Sequence, residues 1–151
     1  MEVWLDLEDT IITNWNEALL TNNGKIKKWL DERDVKELRI WSFAIQNNND
    51  KERFVRSGIK RMIETALERP ILEWLSVEEM QTLVQYYDGI IYESQTEFRQ
   101  IHSKQWSFIK FCLGSKKNMT CVLIDDAVAN LKITEYDRLL DIHLVRIQDM
   151  K

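Results

Sequence analysis

Two short apolar runs, Val3-Trp4-Leu5 and Thr120-Cys121-Val122-Leu123-Ile124, each stop abruptly on acids, at Asp6 and at Asp125-Asp126. Runs this short and this unbroken read as strands buried on both faces, and such strands belong to parallel sheets covered by helices. The stretches between them carry helical spacing instead. Alternation of the two patterns predicts an α/β fold, a parallel sheet between two helical layers. In such sheets ligands gather beyond the carboxyl ends of the strands, so the residues just after each apolar run are the candidates for function.

The rest of the chain fills in that plan. Residues 13–24, rich in Asn, read as a loop or small hairpin, and Lys25 to Arg33 as a helix with Ile26, Trp29 and Leu30 on one side. Leu38 to Ala44 reads as a second strand. Residues 51–68 carry the clearest helical stripe, Val55, Ile59, Met62, Ile63, Ala66 and Leu67, with Asp50 as N-cap and Pro70 as the stop. Ser76 to Tyr87 predicts another helix, with Ser76 and Glu79 forming a capping box, Val77, Met80, Leu83 and Val84 inward, and Gly89 ending it. Ile90-Ile91-Tyr92 reads as a short strand, Ser103 to Leu113 as a helix stopped by Gly114, and Ile142 to Ile147 as the last strand. No repeat and no Gly/Ser-rich linker divides the 151 residues, which predicts one domain, 1–151.

Composition excludes several function classes. With 25 Asp and Glu against 21 Lys and Arg, the net charge of -4 argues against non-specific binding to DNA or to an anionic membrane. Arg53, Arg56, Lys60 and Arg61 lie opposite the apolar stripe and read as a solvated face rather than a nucleic-acid track. No apolar run could span a bilayer, and the acidic first residues lack a basic leader, so a cytoplasmic protein is expected. Cys112 and Cys121 have neither a CxxC spacing nor a Cys/His cluster and read as reduced core thiols. His102 and His143 are isolated and read as surface or satisfied residues. The six Trp read mainly as core, Trp41 included, with Trp15 as the exception.

What remains is a set of complementary polar residues at the predicted strand ends: Asp6, Glu8, Asp9 and Thr10 after the first, Ser42 after the second, and Asp125 and Asp126 after the strongest. Lys104 opens the helix before that last strand. Carboxylates converging from two strands repel unless a cation sits between them, and a hard divalent ion such as Mg2+ suits oxygen ligands. Lysine and serine add a charge and a hydroxyl that suit a phosphate. Together these are the parts that phosphoryl transfer needs.

Val3-Trp4-Leu5-Asp6-Leu7-Glu8-Asp9-Thr10-Ile11 resembles the first motif of the haloacid dehalogenase (HAD) superfamily, an apolar strand followed by Asp-x-Asp-x-Thr. Ile40-Trp41-Ser42 is similar to its second motif, Lys104 to its third, and Val122-Leu123-Ile124-Asp125-Asp126 to its fourth. The four stand in the family's order across residues 3 to 126. The resemblance implies a Rossmann-like fold and a Mg2+-dependent phosphohydrolase that works through an aspartyl-phosphate on Asp6. It implies that the Asp6 side chain, the Glu8 carbonyl and Asp125 bind Mg2+, with Asp126 an outer or alternate ligand. Ser42 and Lys104 would hold the phosphoryl group, and Thr10 would brace the loop beside the substrate.

One residue departs from the pattern. The family's phosphatases carry Asp as general acid and base two residues after the nucleophile, where this chain has Glu8, one methylene longer. The alternative reading is therefore a HAD-like binding protein with impaired turnover. Asp9, at an odd offset, points away from Glu8 on an extended chain and is not assigned the acid role. Lys110, Lys116 and Lys117 compete with Lys104. The stretch from Thr10 to Ser42 has room for a flap, a helix and a strand, and residues 70–87 for a small helical elaboration, so little or no cap domain is expected. An open site of that kind admits a small phosphomonoester, a phosphoprotein or a nucleic-acid end.

Overall fold

The computed structural model describes residues 1–151. Its strands are β1 (Glu2–Leu5), β2 (Leu38–Trp41), β3 (Ile71–Leu75), β4 (Met119–Asp125), β5 (Leu131–Glu135) and β6 (Leu140–Arg146). Its helices are α1 (Asn23–Glu32), α2 (Asn48–Arg56), α3 (Ile59–Leu67), α4 (Val77–Asp88), α5 (Gln95–Ile101) and α6 (Lys104–Ser115). The strands form one sheet in the order β3-β2-β1-β4-β6-β5, parallel except for β5, which runs antiparallel at the edge. No helix is long and apolar enough to cross a membrane.

Alternation along β1 divides the core. Val3 and Leu5 pack with Ile40, Val122, Ile124 and the apolar faces of α1, α2 and α3. Trp4 points the other way, onto Trp41, Leu123 and residues of α4 and α6. Trp4 meets Trp41 edge-on at 5.8 Å, and Trp41 stacks on Phe111 at 4.9 Å, so both indoles are packing groups as expected. With every β1 residue buried, the unbroken apolar run is explained by its central place, β2 on one side and β4 on the other.

Several local expectations are corrected. Residues 51–68 are two helices, because Gly58 adopts φ 86°, a left-handed conformation that cannot continue the first and starts the second. Val55 is consequently exposed, and the cap of α2 is Asn47, which accepts from the Asp50 amide, while Asp50 accepts from the Gln46 amide. Residues 71–75 form β3, paired with β2, not part of a helical elaboration. The Ser76–Glu79 capping box and the Gly89 stop are present, but Leu83 faces outward. Ile90 and Ile91 are exposed and form no strand; Gly89 ends α4 in a left-handed conformation, and Tyr92 packs on Phe98 and His102 instead of entering the sheet. Helix α6 runs through Gly114, β2 stops at Trp41, and the most exposed tryptophan is Trp106, not Trp15.

Candidate functional site

The chain winds outward from β1 through β2 and β3, then crosses back to place β4 on the opposite side of β1. Connections leave β1 and β4 in opposite directions, and a crevice opens where that happens, at the carboxyl ends of the two strands. Leu5 pairs with Ile124, so Asp6 and Asp125 are the next residues on neighbouring strands. The Asp6 amide donates to the Ile124 carbonyl at 2.9 Å. The two-residue period puts Asp6 on the side of Trp4 and Asp125 on the side of Leu123, both facing the layer that contains α6.

Lys104, the first residue of α6, closes that corner. Its Nζ lies 3.2 Å from Asp6 Oδ2 and 4.0 Å from Asp126 Oδ1. Of its rivals, Lys110 pairs with Asp88 and Lys116 with Glu2. After β1 the Leu7 carbonyl receives the amides of Thr10, Ile11 and Ile12 at 3.0 to 3.2 Å. That tight turn, with Asp9 exposed at φ 58°, folds Thr10 back so that its hydroxyl donates to Asp6 Oδ2 at 3.0 Å. Residues beyond it make the expected hairpin, Ile12 bridging Leu20 and the Thr13 amide bonding Leu19.

One carboxylate oxygen from each of Asp6, Asp125 and Asp126 lies within 4.8 Å of the others. Repulsion between any two at that distance is about 3 kcal/mol at an effective dielectric of 20. With all three ionised, the carboxylates and the one ammonium would leave the corner two charges short of neutral. Burial, helped by Asp125 and opposed by Lys104, holds the Asp6 carboxyl far above its ordinary range. Asp125 is pushed up to about 7, again by burial first. Burial alone would lower Lys104, but Asp6 and Asp125 overcome it and hold the ammonium above its usual value.

Hydrogen bonding leaves the same deficit. Asp6 Oδ2 receives Thr10 and Lys104, and Asp125 Oδ1 receives the Ala127 amide at 2.8 Å. The other oxygens, Asp6 Oδ1 and Asp125 Oδ2, are buried and have no partner. Buried polar atoms are nearly always paired, so two orphans on adjacent strands mark a place built for something else. Oxygens gathered from three carboxylates in this way could hold a hard cation.

The other sequence candidates are placed as follows. Ser42 is buried directly after β2 and accepts from the Ala44 amide at 3.2 Å, which leaves its hydroxyl hydrogen free to donate. Asp126 is partly exposed at the rim. The Glu8 carboxylate is not in the acidic trio; its Oε2 accepts from the Trp15 amide at 2.8 Å, so it is held against the hairpin. Two groupings were not foreseen from the sequence. Asp88 gathers His102, Tyr92 and Lys110, and Arg53 packs over the Trp15 indole. Neither has a local signal, because the partners come from separate elements. Compared with known protein families, characterised proteins and solved structures, the chain matches none.

Proposed function

We propose that this protein is a Mg2+-dependent phosphohydrolase of HAD type, acting on a phosphomonoester through an aspartyl-phosphate on Asp6. The observation that carries the reading is the pair of unpartnered buried oxygens on Asp6 and Asp125, with the Lys104 ammonium against the first carboxylate. Asp6, Asp125 and Asp126 would hold the cation, joined by the Glu8 carbonyl that the motif resemblance adds. Bound there, Mg2+ would offset the negative charge of the trio and of the phosphate.

The chain's own groups divide the remaining work. Thr10 and Lys104 fix the Asp6 carboxylate by one oxygen, so it meets phosphorus in a set orientation. Lys104 and the free hydroxyl hydrogen of Ser42 bind the phosphoryl oxygens as charge shifts onto them. An Asp6 oxygen bonds to phosphorus while the ester oxygen leaves, and Glu8 supplies the proton that the leaving oxygen takes up. Glu8 then takes a proton from water, whose oxygen bonds to phosphorus and frees Asp6. For this Glu8 lets go of the Trp15 amide. Its engagement there also supports a second reading, in which the protein binds phosphorylated ligands without turnover.

Phosphate release from p-nitrophenyl phosphate separates the two. The first reading expects release that requires both Mg2+ and Asp6, and Asp6→Asn to abolish it. Release that persists in Asp6→Asn overturns the mechanism. Mg2+ binding with no release favours the second reading.

A further inference from the structure

A cleft of about 230 Å³ opens between the hairpin and the junction of α2 with α3, lined by Trp15, Asn16, Glu17, Arg53, Ser57 and Gly58 among others. Trp15 joins it to Glu8, the proposed acid and base, through its own backbone. Its amide donates to the Glu8 carboxylate at 2.8 Å, and its carbonyl accepts from Arg53 Nη2 at 3.1 Å. The Arg53 guanidinium lies 5.0 Å over the Trp15 ring, which stacks on Phe54 at 6.4 Å with 20° between planes.

Arg53 is thus anchored at one end of its fork, and the rest of the fork has no counter-ion. Arg56, three residues on, pairs with Glu52 at 3.6 Å, whereas Arg53 forms no ion pair even though Glu17 lines the same cleft. A guanidinium is always charged and presents a planar set of donors suited to phosphate or carboxylate oxygens. Holding it in place beforehand lowers the entropy lost on binding. Ser57 adds a hydroxyl whose oxygen accepts from the Ile59 amide at 3.4 Å, so its hydrogen is free to donate.

We infer that this cleft is the leaving-group subsite of the proposed centre and takes a second anionic group, a phosphate or carboxylate, carried by the substrate beyond its scissile phosphate. The inference rests on the phosphohydrolase reading. A small bisphosphate and a phosphorylated nucleic-acid end present the same anion, so both serve as probes.

The experiment compares kcat/KM for glucose 6-phosphate, glucose 1,6-bisphosphate and a 5′-phosphorylated dithymidylate. One charge-assisted pair to this exposed guanidinium predicts a preference of roughly 5-fold for at least one doubly anionic probe, carried by KM. In Arg53→Ala the ratio falls to near one, and in Arg56→Ala it stays as in the wild type. Which probe is preferred identifies the source of the anion. In parallel, the same ligands are titrated by tryptophan fluorescence on Asp6→Asn, with and without Trp15→Phe, which reads binding without turnover. No preference in the wild type, or one that survives Arg53→Ala, overturns the subsite. If p-nitrophenyl phosphate is not hydrolysed but the bisphosphate gives a Trp15-dependent signal that needs Arg53, the cleft binds the anion while the hydrolase reading, and with it the leaving-group role, falls.

Discussion

Helix α6 supplies a lysine to each of two buried acidic regions, and they differ in how completely the acids are satisfied. Asp88 is met on both oxygens, by Lys110 on one and by the Tyr92 hydroxyl at 2.7 Å and His102 Nε2 at 2.9 Å on the other. Burial would raise its carboxyl, but Lys110 and Tyr92 outweigh that and hold it below its usual value. Six residues earlier, Lys104 faces three carboxylates at once, two of which keep an unpartnered buried oxygen and are held well above their usual value. Burial of acids therefore does not by itself mark a site. Neighbouring acids that each keep an unmet buried oxygen are the better guide, because together they could hold a cation.

Neutralising one acid in each region is expected to separate the two most strongly. Asp6→Asn is expected to cost roughly 10,000-fold in phosphate release and to leave Tm unchanged or higher, since it removes repulsion. Asp88→Asn strands Lys110 and His102, and a loss of about 3 kcal/mol predicts Tm lower by roughly 10 °C, with activity per folded molecule largely kept. Calorimetry beside a phosphate-release assay reads both signs. A fall in Tm for Asp6→Asn would mean that the trio is a structural network after all.

Metal and pH are expected to act on the two regions in opposite ways. Without metal, the raised carboxyls of Asp6 and Asp125 bind protons that the unfolded chain, with ordinary aspartates near 4, releases. Their contribution to stability is present at low pH and is lost as pH rises from about 4 through about 7, the value for Asp125. Asp88 and His102 are both shifted down, so their region contributes in the opposite sense, with stability lost as pH falls. Mg2+ at about 100 times its Kd is expected to raise Tm by roughly 5–10 °C at pH 8 and far less at pH 5, where protons compete for the same oxygens. Equal stabilisation at both pH values in a thermal melt would contradict the trio as the binding place.

A smaller effect is expected at Glu8. Glu8→Asp shortens the acid by one methylene and pulls it back from the leaving oxygen, which predicts a kcat lower by about 10-fold, with Mg2+ affinity unchanged. A gain in kcat would favour the reading of impaired turnover. Smallest is Arg56→Ala, on the solvated face beside Glu52, for which a stability change within about 0.5 kcal/mol is expected by urea titration.

The sequence made the two central strands and their acids plain, because each is an unbroken apolar run with a polar stop. It could also order Asp6, Ser42, Lys104 and Asp125 along the chain. What it could not show was spatial. Strand β3 was hidden behind Pro70 and a helix-like neighbourhood, and β5, with its mixed polar composition, has the pattern of an edge rather than a core. The break at Gly58 depends on one residue's left-handed backbone inside an otherwise continuous stripe. Asp88 with His102, and Arg53 with Trp15, join elements far apart in the chain, so no spacing rule reveals them. Glu8 was legible as a residue, but its hold on Trp15 was not.

In the proposed reaction Asp6 carries the phosphoryl group while Glu8 governs its release. p-Nitrophenolate leaves without a proton donor, so Glu8→Gln in the presence of Mg2+ and p-nitrophenyl phosphate tests both halves of the reaction at once. The predicted result is a burst of nitrophenolate matching the enzyme concentration, followed by slow turnover. Mass spectrometry of the quenched protein would then find a phosphoryl group on the peptide containing Asp6. Turnover in Glu8→Gln at the wild-type rate, with no burst and no adduct on that peptide, would contradict it.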